Sequence, residues 1–267
     1  NLGNIEDPKI DELISLHLYN EIYRLEKHLE VNAVMNDPKQ RVDLRDLYFC
    51  TIDPNSAKDH DDAIYFDTKE NILYVAIADV SYFVKEGSEL DLLAFKKSTS
   101  VYLPTKVLPM LPPILSEEMC SLKEGVDRYS YVFKLHLDLE NLSVKKAELF
   151  EAIINSHKNF SYGRIDRVIE GHLDQYSKTE KEIFDYLIPL YEITKKFRKR
   201  RLIKGYDFRT TENRLKLKND KLESIEVETS TASHQLVEEC MLLANIEASK
   251  KVNMVGIYRI HEEPAFK

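Results

Sequence analysis

Tryptophan is absent from these 267 residues, and cysteine occurs three times, glycine seven times and proline nine times. So little glycine and proline excludes a collagen-like or linker-dominated chain. Cys50, Cys120 and Cys240 stand seventy or more residues apart in apolar surroundings, which is neither a disulfide framework nor zinc-ligand spacing, and they are expected as buried free thiols. No apolar run approaches the roughly eighteen residues of a membrane-crossing helix, and no basic-then-apolar leader opens the chain. No membrane partner is expected, and the cytoplasm is the expected compartment. What is present is a globular composition, 43% hydrophobic and 31% charged, with chain enough for one large domain or two small ones. The net charge of −8 argues against a generally cationic surface for nucleic acid. Positive charge is nevertheless concentrated at Lys195, Lys196, Arg198, Lys199, Arg200, Arg201 and Lys204. That run reads equally as a phosphate-contacting patch and as a solvated helix C-terminus ended by Gly205.

Hydrophobic periodicity sorts the chain into elements. Asp7-Pro8 opens a helical segment with Ile10, Leu13, Ile14, Leu18, Ile22 and Leu25 on its apolar positions, reaching about Met35. Strand-like stretches follow at Tyr48–Ile52, Ala63–Phe66, Ile72–Val84, Tyr129–Leu139 and Val144–Ile154, the last two joined by Glu140-Asn141-Leu142 as a hairpin turn. Ser88–Ser98 reads as a helix, and Met110–Pro113 as a Pro-rich connection. Past Asn155 the chain is expected to be helical. Ile183, Leu187, Leu190, Thr194 and Phe197 recur at helix spacing with a kink expected at Pro189, and a last helix runs from about Ser233 to Lys251. The expectation is an α+β fold with a mostly antiparallel central sheet flanked by helices.

One segment stands out chemically. Thr51-Ile52-Asp53-Pro54-Asn55-Ser56-Ala57-Lys58-Asp59-His60-Asp61-Asp62-Ala63 places four carboxylates within ten residues, on a short connection between two strands. Acidic loops are commonly just solvated surface, but a loop pinned at both ends can aim its carboxylates at one point. There they would raise one another's pKa unless a cation sat among them. Oxygen ligands of this kind suit Mg²⁺ or Mn²⁺, and paired ions of that type cleave phosphodiesters. An EF-hand does not fit, because Ile64 stands where glycine is required and Tyr65 takes a ligand position. A haloacid-dehalogenase site does not fit either, since Asn55-Ser56-Ala57-Lys58 separates Asp59 from the apolar strand.

Thr51-Ile52-Asp53 followed by Ala57-Lys58-Asp59-x-Asp61-Asp62-Ala63 resembles the catalytic signature of the ribonuclease II and ribonuclease R family. Further blocks agree in order and approximate spacing: Ser100–Pro104, Met110–Pro112 through Leu115-Ser116, Cys120–Leu122 with Asp127-Arg128, Ile154–Ser156 with Tyr162, Gly205–Phe208, Val237–Glu239 with Leu243–Asn245, and Arg259–Glu262. The resemblance implies a helical lead-in over 1–46 and an RNB-type catalytic domain over 47–267 that lacks its C-terminal end. The implied activity is Mg²⁺-dependent, with Mn²⁺ as a possible substitute. It hydrolyses single-stranded RNA with a free 3′ end in the 3′-to-5′ direction, releasing 5′-nucleoside monophosphates. Asp53, Asp59, Asp61 and Asp62 would hold the metal, with Asp61 the least dispensable. His60 is read as pointing away from the ion, and Lys58 as tempering the charge.

Most of the fifteen tyrosines and eleven phenylalanines belong to the core. By the resemblance, Tyr162 and Phe208 would clamp the 3′-terminal nucleotides and Tyr102 would stack on a base further along the strand. Glu238, or Glu239 in its place, would accept from the terminal 2′-hydroxyl and so prefer RNA over DNA. Two departures matter. The family's phosphate-stabilising arginine block and its flanking cold-shock and S1 type domains are not in this chain, and the first residue is Asn1. A fragment with reduced or no activity is therefore expected, with a non-catalytic RNA- or metal-binding module as the alternative reading. The helical lead and Ala57-Lys58 lean toward the ribonuclease R type.

Overall fold

The computed structural model describes residues 40–102, 107–173, 175–203, 205, 212–218, 221–252, 256 and 258. The helical lead expected before residue 40, Phe208, and the block from Arg259 onward lie outside the described residues. The chain divides into two compact units, one containing Asp79–Ser121 and Thr210–Thr229, the other Asp37–Ala78, Leu122–Arg209 and Ser230–Lys267.

The second of these units is built on a six-stranded sheet in the order β1-β8-β2-β3-β4-β7, with β8 also paired to β7. Its strands are β1 (Val42–Asp43), β2 (Phe49–Asp53), β3 (Asp62–Asp67), β4 (Ile72–Ala78), β7 (Asp127–Asp138) and β8 (Ser143–Ser161). The β2–β3, β3–β4, β4–β7 and β7–β8 pairs are antiparallel, while β1 and β2 run parallel to β8. The ladders β2–β3–β4–β7–β8–β2 therefore close on themselves. Closure depends on the length of β8, which pairs with β7 as far as Asn155 and then with β2 from Ser156 to Ser161. The helix expected after Asn155 begins only at Tyr162, because residues 156–161 take their backbone partners from β2 and have none to gain by coiling earlier.

Alternation along the strands puts two sets of side chains on opposite faces. Cys50, Ile52, Ile64, Phe66, Leu73, Val75, Phe133, Leu135 and Leu137 pack with the helices, and Phe49, Ala63, Ala76, Leu122, Val132, Ala152 and Ile154 form the other cluster. Each fully buried Leu, Ile or Phe side chain contributes roughly 1.5–3 kcal/mol relative to exposure. After two helices of the other unit, at Val80–Phe83 (α1) and Glu89–Lys97 (α2), the covering helices are α3 (Tyr162–Ile169), α4 (Lys178–Leu202) and α5 (Ala232–Ser249). A reciprocal cap between Ser177 and Glu180 starts α4, and its Ile183, Leu187, Leu190, Thr194 and Phe197 are all buried, as their spacing predicts. Pro189 lies inside α4 without ending it.

In the other unit, α1 (Val80–Phe83) begins where the sequence suggested continued strand. Asp79 accepts from the Tyr82 N–H at 3.0 Å and from the Ser81 hydroxyl at 2.7 Å, and that local capping ends β4 at Ala78. Next come α2 (Glu89–Lys97), capped by Ser88, the short antiparallel pair β5 (Val101–Tyr102) and β6 (Val107–Leu108), and a π-helical turn at Ile114–Met119. The antiparallel hairpin of β9 (Glu212–Lys218) and β10 (Lys221–Glu228) belongs to the same unit. All three cysteines are buried, and none is in a disulfide. No described helix is long and apolar enough to cross a membrane.

Candidate active site

The acidic loop is pinned at both ends. Phe49–Ile52 of β2 are buried and Asp53 emerges at the strand end. A turn closed by the Ala57 N–H on Pro54 O at 2.9 Å reverses the chain, and β3 opens with Asp62. Between them the backbone is tied down twice: His60 O accepts from Leu122 N and Asp61 O from Ala78 N, both at 2.9 Å. The residues between the strands are thus held by main-chain bonds that do not depend on their side chains.

The carboxylates feel one another. Burial, then the charges of Asp53 and Asp61, push the Asp62 carboxyl up to about 7. Partial desolvation, then Asp59 and Asp53, raise that of Asp61. Core groups register the same charge: burial chiefly raises the Cys50 thiol to about 12, with Asp53 and Asp62 adding to it, and Asp62 also acts on Cys240 in α5. Asp53, Asp59, Asp61 and Asp62 are therefore gathered in one electrostatic neighbourhood above the β2–β3 core. They are not drawn to a single point. Among the described residues no three His, Cys, Asp or Glu side chains form a group that could hold a metal ion.

His60 departs from its sequence reading. Instead of turning from the acids, its Nδ1 lies 2.6 Å from Asp53 Oδ2, with Thr51 Oγ1 at 3.3 Å from the same nitrogen. Asp53 is accordingly occupied by an imidazole from its own loop.

The parallel ladder of β2 and β8 sets Asp53 opposite Ser161. Ser161 caps α3 through its hydroxyl, and the next residue is Tyr162, so the acidic strand end and this tyrosine are neighbours by register. Tyr162 is stacked on His234 of α5, with ring centroids 3.6 Å apart and planes 15° from parallel. Ser233 ties the same two helices, donating from Oγ to Tyr162 O at 3.1 Å and from its N–H to Asp166 Oδ1 at 2.9 Å.

Glu238 is half exposed and lies against two arginines, Arg198 Nη1 at 2.8 Å and Arg201 Nη2 at 3.2 Å. Glu239 is buried, with Arg198 Nη1 at 3.4 Å and a closer contact to Arg201. Of the two glutamates the sequence left open, Glu238 is the one that reaches the surface. Part of the basic run is consumed internally, since Arg198 and Arg201 hold these glutamates and Arg200 donates to Asn141 O and Leu142 O. Tyr102 belongs to the other unit and is 73% exposed. The four aspartates thus share one electrostatic neighbourhood, Tyr162 follows the residue paired with Asp53, and Glu238 lies on α5 one turn after the His234 that stacks on Tyr162. Sequence reasoning missed the pairing of His234 with Tyr162 and that of Arg198 with Glu238, which join residues 72 and 40 apart along the chain, and nothing local signals such pairs. His60, by contrast, was visible inside the acidic run.

Comparison with known proteins gives a consistent result. A family profile described as RNB domain matches residues 41–267. A curated ribonuclease R from Helicobacter pylori is 38% identical over 100% of this chain and 42% of its own length. The solved Mycoplasma genitalium RNase R in complex with ribose-methylated single-stranded RNA is similar at TM-score 0.77 and 28% identity, covering 94% of this chain and 41% of that one. The same protein in complex with double-stranded RNA gives TM-score 0.79 at 28% identity, with 94% and 47% covered. The chain spans less than half the length of these relatives.

Proposed function

Because the chain belongs to the RNB domain family, we propose that it carries the acidic part of a 3′-to-5′ exoribonuclease site acting on single-stranded RNA with a free 3′ end. The observation that carries this reading is the rung pairing Asp53 with Ser161, which sets the acidic strand end beside an aromatic ring suited to stacking on a base. Asp53, Asp59, Asp61 and Asp62 would hold Mg²⁺, or Mn²⁺ in its place. Four hard oxygen donors whose crowding raises Asp61 and Asp62 are a set that a divalent cation would relieve. Bound there, the ion would bring the pKa of water toward neutrality and offset charge on the scissile phosphate.

The chain's own groups would do the rest. Tyr162 would receive the 3′-terminal base, with Phe208 closing the clamp and Tyr102 stacking further along the strand. Glu238 would accept from the ribose 2′-hydroxyl, a contact DNA cannot offer. The main-chain bonds on His60 and Asp61 would keep the loop in place through turnover. The products would be 5′-nucleoside monophosphates, and the compartment the cytoplasm. We take residues 47–267 as belonging to the catalytic domain, with cold-shock and S1 type domains as neighbours in the longer protein.

A second reading, that this chain binds RNA or metal without cleaving, is favoured by one observation: among the described residues no three His, Cys, Asp or Glu side chains form a group that could hold a metal ion. One experiment separates the two. The chain is incubated with 5′-labelled single-stranded RNA or the matching DNA, with Mg²⁺ or EDTA, beside Asp61→Asn. The expected outcome is slow, metal-dependent shortening of RNA alone. Asp61→Asn should lower it by more than the roughly 10–100-fold lost when a mere supporting partner of a metal ligand is removed, with the circular dichroism unchanged. A folded chain that shortens no RNA supports the second reading.

A further inference from the structure

Tyr162 and Glu238 come from different helices, and one residue touches the arrangement of both. His234 lies flat against Tyr162 and sits four residues before Glu238 on α5, so the two share a helix face one turn apart. The imidazole is itself fixed: the Thr231 N–H donates to its Nδ1 at 3.4 Å and Thr231 Oγ1 lies 2.7 Å from it, closing a reciprocal cap at the start of α5. These contacts at Nδ1 set the ring plane from the helix start. A flat, preset surface behind a tyrosine restricts that tyrosine's rotation in turn.

We propose that His234 is a positioning residue that holds the Tyr162 ring in register with Glu238, so that base stacking and 2′-hydroxyl recognition fall on the same terminal nucleotide. The inference rests on the proposed roles of Tyr162 and Glu238. A base stacked on the held tyrosine would then present its ribose at one fixed position relative to α5, where the Glu238 carboxylate still has acceptor sites beyond its two arginine contacts. Without the backing ring, Tyr162 would sample other rotamers, and stacking would no longer deliver the ribose to one place.

Two substitutions separate this role from the capping role of the same side chain. His234→Gln preserves an acceptor suited to the reciprocal cap and deletes the ring, whereas His234→Phe preserves the ring and deletes the acceptor. The probe is single-stranded RNA bearing 2-aminopurine at its 3′ end, titrated in EDTA so that it stays intact, with the matching deoxyribose oligonucleotide alongside. Stacking is read as fluorescence quenching, and ribose recognition as the ratio of RNA to DNA affinity. His234→Gln should lose most of the quenching and lower the RNA preference on the order of fivefold, a fraction of what one stacked base contributes. His234→Phe should retain both. The reverse pattern, with Gln retaining and Phe losing, means that the side chain acts only as a helix cap and overturns the inference. Tyr162→Ala serves as the control on the underlying reading. If quenching survives in that variant, or is absent from the unsubstituted chain, the role of Tyr162 falls and the inference with it. Quenching lost in Tyr162→Ala but kept in both His234 variants overturns the inference alone.

Discussion

Tyr186 of α4 carries its hydroxyl into the centre of the sheet. It lies 2.9 Å from Tyr48 O, 3.1 Å from Ile64 O and 3.3 Å from Cys50 Sγ, in fully buried surroundings that push its ionisation far above the ordinary tyrosine range. One hydroxyl proton serves one acceptor at a time, so this group satisfies a carbonyl at the edge of β2 or β3 while the ring packs edge-on against Tyr65 at 5.3 Å. Tyr186→Phe keeps the ring and strands the carbonyl. Destabilisation of about 1–2 kcal/mol is expected, checked by urea denaturation followed by circular dichroism. At this scale the sequence was informative where chemistry clustered along the chain, as in the four aspartates, and silent where it clustered across it. Nothing near Tyr186 names Tyr48 or Ile64 as a partner, because the separations of 138 and 122 residues are closed only by the fold. His60 was the intermediate case. Its position was plain, but whether it faced Asp53 depended on a loop turn whose geometry composition does not fix.

Helix α4 and helix α5 meet through charge as well as through Leu236, Cys240 and Ala244. Arg201 reaches the buried Glu239 with both Nε and Nη2, and Arg198 approaches it at 3.4 Å. A carboxylate so enclosed depends on these guanidinium groups, because its own desolvation is otherwise uncompensated. Arg201→Met should destabilise the unit by about 2–3 kcal/mol, less than a wholly orphaned charge because Arg198 remains, and Glu239→Leu in the same chain should recover much of the loss. A double-mutant cycle in urea measures the coupling. Periodicity had located both helices, since a buried face repeating every three or four residues is local information. It located strands less well. The end of β8, residues 156–161, was taken for helix because its pairing with β2 is parallel and remote, and the β9–β10 hairpin was not anticipated. Leu215, Leu217, Ile225 and Val227 do alternate there, on either side of Asn219-Asp220, which is the signal that could have found it.

For the molecule as a whole, several carboxylates are settled rather than crowded. At the tip of the β7–β8 hairpin, hydrogen bonds from the Asn141 side chain and backbone hold Asp138 down at about 2, and the Arg45 side chain does the same for Asp43. A carboxyl whose folded pKa lies below its unfolded value lends stability above the unfolded pKa and loses it as pH falls through the folded one. The native state should therefore weaken between about pH 4 and pH 2. Asp138→Asn should be less stable than the parent at pH 6 and approach it near pH 2, as followed by thermal melts across that range. The fold class was legible beforehand because strands and helices of the expected kinds occur in the expected order. The closure of the sheet was not, because it rests on one strand changing partners midway.

That strand has a consequence for how the molecule can vary. β8 leaves β7, joins β2, and ends on the residue that caps the helix bearing Tyr162. The separation between acids and aromatic ring is thus counted in ladder rungs rather than spanned by a tether, and each rung reverses the side-chain face. Lengthening the β7–β8 turn or the stretch after Ile169 leaves that count untouched. The stretch from Ser156 to Lys158 already holds one extra residue, His157, where the rung of Phe49 and Ser156 is followed by that of Cys50 and Lys158, but a residue added between Lys158 and Ser161 would break the regular rungs that set Asp53 opposite Ser161. The chain carries its own ruler, and tolerance to insertion should stop where its last graduations begin.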